Sequence, residues 1–380
     1  MERSTNPKKQ DSVVSIPQDL ITEILARLPP KSIAKLIVVS KLWSSTIRSK
    51  YFTDLYLTRS LTRLCVLFTF HRDSTRFFHS VSEELPKSSS STTTTSLPRN
   101  PLYDVSPPIR GLICCQDSSK IVISNPSTGQ FVDLPKFKTR RKGISAFLGY
   151  DSIKDEYKVL SMTVSQRAHK YKPVVSEDHH VFTLGAQKNK KKEIWRRIEC
   201  KHPHCPATKG LCNNGVVYYG AWSYSHTKGQ GQGSIIVGFD VRMEEFSRIK
   251  LPDGVEIKPD HKSELVKYQK KIALVDEAVY QGNVELWILE DVEIQSWSKI
   301  LVVVPGWAEL VGNNIFYCRG AISSGVFIFT TTYCHPRPFY IISYDSKENI
   351  GTRVHEIGGI RNRFDSIRVF LDHVESPMFL

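Results

Sequence analysis

Near residue 60 the chain changes rhythm, and this limits its possible folds more than any other feature. Before that point apolar residues recur every three to four positions; after it they recur every two. Helices and strands present differently spaced apolar faces, so the two parts need separate cores. The length of 380 residues is enough for about two domains.

Over residues 17–28, Leu20, Ile21, Ile24, Leu25 and Leu28 fall on one side of a helix. Pro17 is tolerated in a first turn, and Asp19 suits the positive end of the helix dipole. Pro29 and Pro30 stop the helix, because proline lacks the amide donor and clashes with the preceding turn. Ser32 is the expected N-cap of a second helix, with Ile33, Leu36, Val39 and Leu42 on its inner side. Trp43 and Ile47 carry the spacing into a short third helix ending near Lys50 and Tyr51. Three short helices bury little surface alone. Their apolar residues also occupy more than one face, so the unit is expected to complete its core against a partner or the rest of the chain. A plain helical cap is the alternative.

Beyond residue 60 no helix is expected. Candidate strands cover 64–70, 121–124, 130–134, 157–162, 216–219, 235–240, 284–289, 326–330 and 339–344. They are short, rich in Val, Ile, Phe and Tyr, and separated by Gly, Asn, Pro or charged turns. Asn213-Asn214-Gly215 and Gly312-Asn313-Asn314 read as hairpin turns, since Asn and Gly accept positive φ. A blurred repeat runs through the region. Units begin at Gly111, Gly210, Leu265 and Leu310, and the last three starts are about 45–55 residues apart, the length of a four-stranded propeller blade. The fold class expected is α+β multidomain: a small three-helix unit, then an all-β, propeller-like domain of about six blades. An irregular β-sandwich is the alternative. The Ser/Thr-rich stretch 87–96 reads as a mobile insertion.

Lys and Arg outnumber Asp and Glu by 52 to 38, a net charge of +14 that favours acidic partners. The start of the chain is polar, so no secretory signal is expected. The apolar stretches 301–307 and 325–329 fall far short of the ~20 residues that span a bilayer. Eight scattered cysteines read as reduced thiols in nucleus or cytoplasm. Two basic stretches, Lys136 to Lys142 and Lys188 to Arg197, carry most of the charge and interleave Phe137 and Trp195. They read as solvated loops, with a nucleic-acid surface as the rival, because no RNA-recognition or zinc-finger signature accompanies them. Cys200, His202, His204, Cys205 and Cys212 are crowded enough for a zinc site, but no second ligand pair follows at finger spacing, so no metal or other cofactor is expected. There is no nucleophile elbow, phosphate loop or dinucleotide glycine fingerprint, and so no catalytic residue is expected. Gly229 to Gly233 reads as a flexible hairpin tip.

The block Ile16-Pro17-Gln18-Asp19-Leu20-Ile21-Thr22-Glu23-Ile24-Leu25-Ala26-Arg27-Leu28-Pro29, then Lys31-Ser32, then Val39-Ser40-Lys41-Leu42-Trp43, closely resembles the F-box over residues 15–55. Ile16 stands where the family usually has Leu, and Lys35-Leu36-Ile37-Val38 where it often has Arg-Phe-Arg-Cys. The remainder resembles the plant F-box-associated, kelch-like domains. The residues that carry this are Asn125-Pro126-Ser127-Thr128-Gly129, Gly149-Tyr150-Asp151, Asp155 to Leu160, Asn214 to Tyr219, Phe239 to Arg242 and Glu285 to Asp291. The resulting division is a disordered tail over 1–14, an F-box over 15–60 and a β domain over 61–380. The resemblance implies a non-catalytic substrate receptor of an SCF-type ubiquitin ligase. Its F-box would dock on a Skp-type adaptor, and through it a cullin scaffold, while the β domain holds an unknown target protein. Ile16, Pro17, Leu20, Ile24, Leu25, Leu28, Pro29, Ile33, Leu36, Val39 and Trp43 would then include both the adaptor-facing and the core positions.

Overall fold

A computed structural model describes residues 16–380 except 73–74, 83–92, 99–103, 118–119, 137–142, 165–175, 186–193, 224–232, 259–262, 277–278, 280, 332–338 and 355–366. Four helices come first: α1 (Gln18–Leu25), α2 (Pro30–Leu36), α3 (Lys41–Arg48) and α4 (Lys50–Ser60). The expectation of three helices is corrected, because the chain re-enters a helix at once after α3. Ser49 ends α3 in an extended conformation, and its hydroxyl accepts the Phe52 amide at 3.1 Å, capping α4. Helix α2 also starts earlier than expected. Pro29 is its N-cap and Pro30 its first residue, where a missing amide hydrogen costs nothing, so Ser32 lies inside the helix. Ser40 caps α3 by accepting the Trp43 amide at 3.1 Å. The helices close around Ile21, Leu25, Ala26, Ile33, Ile47, Phe52 and Tyr56.

The strands build six sheets. The first holds β1 (Cys65–Arg72), β2 (Thr75–Ser82) and β3 (Thr93–Pro98). The second holds β4 (Asp104–Val105), β5 (Ile113–Asp117), β6 (Lys120–Asn125) and β7 (Gln130–Asp133). The third is β8 (Gly143–Asp151), β9 (Glu156–Val164), β10 (Ser176–Thr183) and β11 (Arg196–Ile198). In the fourth, β12 (His204–Pro206) and β13 (Leu211–Asn213) both pair with β14 (Val216–Ser223), followed by β15 (Gly233–Asp240) and β16 (Phe246–Lys250). The fifth is β17 (Ser263–Tyr268), β18 (Lys271–Asp276), β19 (Asn283–Asp291) and β20 (Ser296–Val303). A short helix, α5 (Trp307–Val311), precedes the sixth: β21 (Tyr317–Ala321), β22 (Phe327–Thr330), β23 (Ile341–Asp345) and β24 (Ile350–Val354). The last strand, β25 (Ile367–His373), returns to pair antiparallel with β1 and completes the first sheet. This is a six-bladed β-propeller, closed by its two ends.

Six apolar clusters lie one at each junction between neighbouring blades. Middle strands are therefore buried on both faces. In β15, Ile235, Val237 and Phe239 face the third blade, while Ile236 faces the fifth. Such strands read as continuous apolar runs, whereas the outer strands β7 and β24 alternate or lie largely exposed.

Five turns repeat one chemistry. Asp151, Asp240, Asp291 and Asp345 each accept two backbone amides on one side-chain oxygen, at 2.7–3.4 Å, and Asn125 accepts the Ser127 amide at 2.9 Å. Each turn closes on a left-handed residue: Gly129, Asp155, Glu244, Gln295 or Asn349. In an antiparallel meander all five lie on the same side of the disc. The Asn214-Gly215 hairpin forms as expected, with φ of 49° and 80°. Gly312-Asn313-Asn314 instead follows α5, with Gly312 at its C-cap. Of the Ser/Thr-rich stretch, residues 93–96 join β3, where β-branched threonine suits an extended edge. Residues 87–92, the tail over 1–14 and Gly229 to Gln232 lie outside the described residues.

His373 is fully buried in β25, and among the described residues neither ring nitrogen has a hydrogen-bond partner. Burial lowers its pKa to about 4, and that of His179 to about 4 as well. Both imidazoles are neutral in the fold and charge more readily when unfolded. The stability tied to their neutrality is complete above the unfolded value near 6.5 and is lost as pH falls toward 4, by roughly 3 kcal/mol for a fully buried ring. Thermal unfolding between pH 7.5 and about 4.5 should show a smaller loss for His373→Leu than for the natural chain; parallel curves would refute the assignment.

Candidate functional site

The N-terminal helices carry two adjacent apolar stripes. On α1, Ile21 and Leu25 point into the helical core, while Leu20 and Ile24, each one residue away, are 54% and 51% exposed. Val38 at 85% and Val39 at 58%, between α2 and α3, and Leu42 at 46%, on α3, are also open. The core beneath is formed by other residues, Ile21, Leu25, Ala26, Ile33, Ile47, Phe52 and Tyr56, so these side chains stand outside it.

The eleven residues expected to include both adaptor-facing and core positions divide accordingly. Ile16, Pro17, Leu20, Ile24, Pro29 and Val39 are exposed. Leu25 and Ile33 are fully buried and stand among the core positions of the eleven. Leu28, Leu36 and Trp43 are half-buried and pack on the core from its margin. Val38 and Leu42 were not among the eleven. The signal for Val38 was the run Ile37-Val38-Val39 just past a helix end, because three consecutive apolar residues cannot all point inward.

Charge fixes the helices internally. Glu23 accepts Arg59 of α4 at 2.6 Å and Arg27 at 3.0 Å. The hydrogen bonds from Arg59 and Arg27 hold its carboxyl below the usual range. A second set of contacts joins the helices to the propeller. Lys50 pairs with Asp155, and Arg110 reaches Asp54 at 3.4 Å while lying 4.5 Å over the Tyr150 ring. Tyr150 donates to Asp155 at 2.6 Å. Burial pushes the Asp155 carboxyl upward, but hydrogen bonds from Lys50 and Tyr150 outweigh it, and the net shift is down. Asp155 closes one of the five repeated turns, so the F-box sits on the turn side of the disc.

On the propeller axis the first strands leave a cavity of only about 60 Å³, lined by Leu211, Val266 and Phe370. Arg319 and Glu264, paired at 2.9 Å and largely buried, line it as well. In the cysteine–histidine cluster, the Cys200 Sγ lies 3.9 Å from the His204 Nδ1. His204 is bound through one nitrogen to the His202 carbonyl at 2.7 Å and through the other to the Tyr219 hydroxyl at 2.8 Å. Among the described residues no group of three or more potential ligands is placed to hold a metal. Most of the two basic stretches lies outside the described residues; of the rest, Arg196 pairs with Glu244 at 2.6 Å and Arg197 with Asp178 at 3.2 Å. Among the described residues no helix is long and apolar enough to cross a membrane.

The division of the apolar stripes has a direct test. Leu25→Ala should destabilise the helical unit by about 2–5 kcal/mol, because it opens a cavity in a closed core. Leu20→Asp should leave stability within about 0.5 kcal/mol. Denaturant unfolding followed by helical circular dichroism separates the two, and equal losses would contradict the assignment.

Comparison with known proteins finds two domains in the chain. The F-box domain model matches residues 14–55, and the model described as F-box associated beta propeller domain matches residues 65–374. An F-box/kelch-repeat protein of Arabidopsis thaliana is 42% identical, over 96% of this chain and 93% of its own length. F-box protein DOR of the same plant is 35% identical over 98% of this chain and 96% of its own length. Among solved structures, a protein of unknown function from Dyadobacter fermentans is 8% identical with a TM-score of 0.39, covering 78% of this chain and 84% of its own, too distant to inform function. From residue 14 to residue 374, then, the chain belongs to the F-box proteins that carry an F-box associated beta propeller domain.

Proposed function

We propose that this protein is the substrate-recognition subunit of an SCF-type ubiquitin ligase. The observation that carries the reading is the row Leu20, Ile24, Val38, Val39 and Leu42, exposed on a helical unit whose own core is complete. An apolar surface of this kind gains about 25 cal/mol for each Å² removed from water. A Skp-type adaptor covers it and links the chain to a cullin scaffold. The propeller, kelch-like in the sense of the relative's name, holds the target protein. Bond formation belongs to the recruited ubiquitin-conjugating enzyme, so the chain is not itself an enzyme. Its contribution is effective concentration, holding a target lysine near the charged thioester. Such a subunit works in nucleus or cytoplasm.

Leu20→Asp with Ile24→Asp places two carboxylates at the centre of that surface, where docking would strip their water without supplying a partner. The full-length double variant should keep its fold and lose adaptor binding by about a hundredfold or more in titrations against a panel of Skp-type adaptors. Unchanged affinity in a variant that still folds would overturn the reading.

A further inference from the structure

The segment that follows β25 touches both halves of the molecule. On the propeller side the buried Asn125 amide donates to the Ser376 carbonyl at 3.0 Å and the Met378 carbonyl at 2.9 Å. Its oxygen meanwhile accepts the Ser127 amide and holds the turn. Ser127 accepts the Ser376 amide at 3.2 Å, and Gln130 accepts the Leu380 amide at 3.2 Å. Gly111 gives the segment room. Its φ is 85°, and a Cβ there would lie 2.3 Å from the Ser376 Cβ. Met378 packs on the core between the second and third blades. One residue further on, Phe379 packs against the F-box core, with the Arg48 guanidinium 5.1 Å from its ring centre.

We infer that residues 376–380 form an internal clamp that fixes the orientation of the F-box, and so of its adaptor-docking face, on the propeller. The clamp stands on these contacts alone; only its consequence for ubiquitin transfer rests on the adaptor reading. Two further cross-contacts, Lys50 with Asp155 and Arg110 with Asp54, are partly exposed ion pairs, which salt screens in part. The covalent connection is only residues 61–64. The segment adds a contact to each unit, Asn125 on the propeller and Phe379 on the F-box.

Asn125→Asp tests it with minimal change of shape. The remaining oxygen still accepts the Ser127 amide, but the donor facing two carbonyls becomes an acceptor. Phe379→Ala cuts the opposite end. Either full-length variant should split one calorimetric unfolding transition into two, for F-box and propeller. Each should also extend the small-angle scattering profile and speed exchange of the amides of Ser376 and Met378 about tenfold or more. Adaptor affinity should stay within about threefold, since the docking face is untouched. A single transition with a scattering profile superimposable on the natural chain's would overturn the clamp. So would loss of protection in α1 and α2 equal to that in the segment, which would make Phe379 core filling only. If the natural chain binds no adaptor while the variants still uncouple the two units, the adaptor reading fails and the clamp stands.

Discussion

Everything in this molecule depends on the pairing of β25 with β1. The two strands lie at opposite ends of the β domain and run antiparallel from Cys65 opposite His373 to Phe70 opposite Ile367. A propeller blade is apolar on both faces, so it is stable only between two neighbours. Without that pairing the first sheet loses Val369 from the core shared with the sixth blade and Phe370 from the core shared with the second. Both would open to water at once, and the loss of area at two junctions makes closure cooperative. The same pairing delivers the residues after His373 to the turn side of the disc, beside the helices.

Part of the propeller was legible in blocks that end on a turn aspartate, Gly149-Tyr150-Asp151 and Glu285 to Asp291 among them. An Asp or Asn ends one strand, accepts the amides two or three residues on, and is followed by a residue able to adopt positive φ. That pattern needs particular side chains, so it survives in the sequence. The third blade was harder to read as a unit. Strand β10 is Ser-Glu-Asp-His-His-Val-Phe-Thr, polar by composition, and only the fold shows His179 buried against Phe246 with Val181 and Phe182 in separate cores. The last blade strand, β25, was missed because its partner lies some three hundred residues away, beyond any local periodicity. Helix α4 was missed for a related reason. It packs Phe52 and Tyr56 into the helical core and also buries Leu57 and Ser60, so no single apolar stripe marks it.

The helical unit shows where one-dimensional reading stops. On α1 the pairs Leu20/Ile24 and Ile21/Leu25 each have the i, i+4 spacing of a helix face, and the two stripes are offset by about 100°. Both are apolar, so amphipathicity cannot rank them. Only the approach of α3 and α4 from one side decides that Ile21 and Leu25 are core and leaves Leu20 and Ile24 outside. The junction role of Lys50, Asp54 and Arg110 carried no signal, since each is an ordinary charged residue until the fold brings it to its partner.

A receptor that acts by proximity is sensitive to angle as well as affinity. A flexible tether lets the held target sample many positions, and effective concentration at any one of them falls as the sampled volume grows. Here four residues join helix to strand, short enough to keep the units near each other but free to rotate about several backbone bonds. Contacts at separated points are needed to remove that rotation. Lys50 with Asp155 supplies one, Arg110 with Asp54 a second, and Phe379 a third, on a segment anchored in the disc by Asn125. Three points define a plane. The half-buried, neutral member of the three, Phe379, is the one that salt cannot screen, so it holds the orientation where ionic strength weakens the two ion pairs.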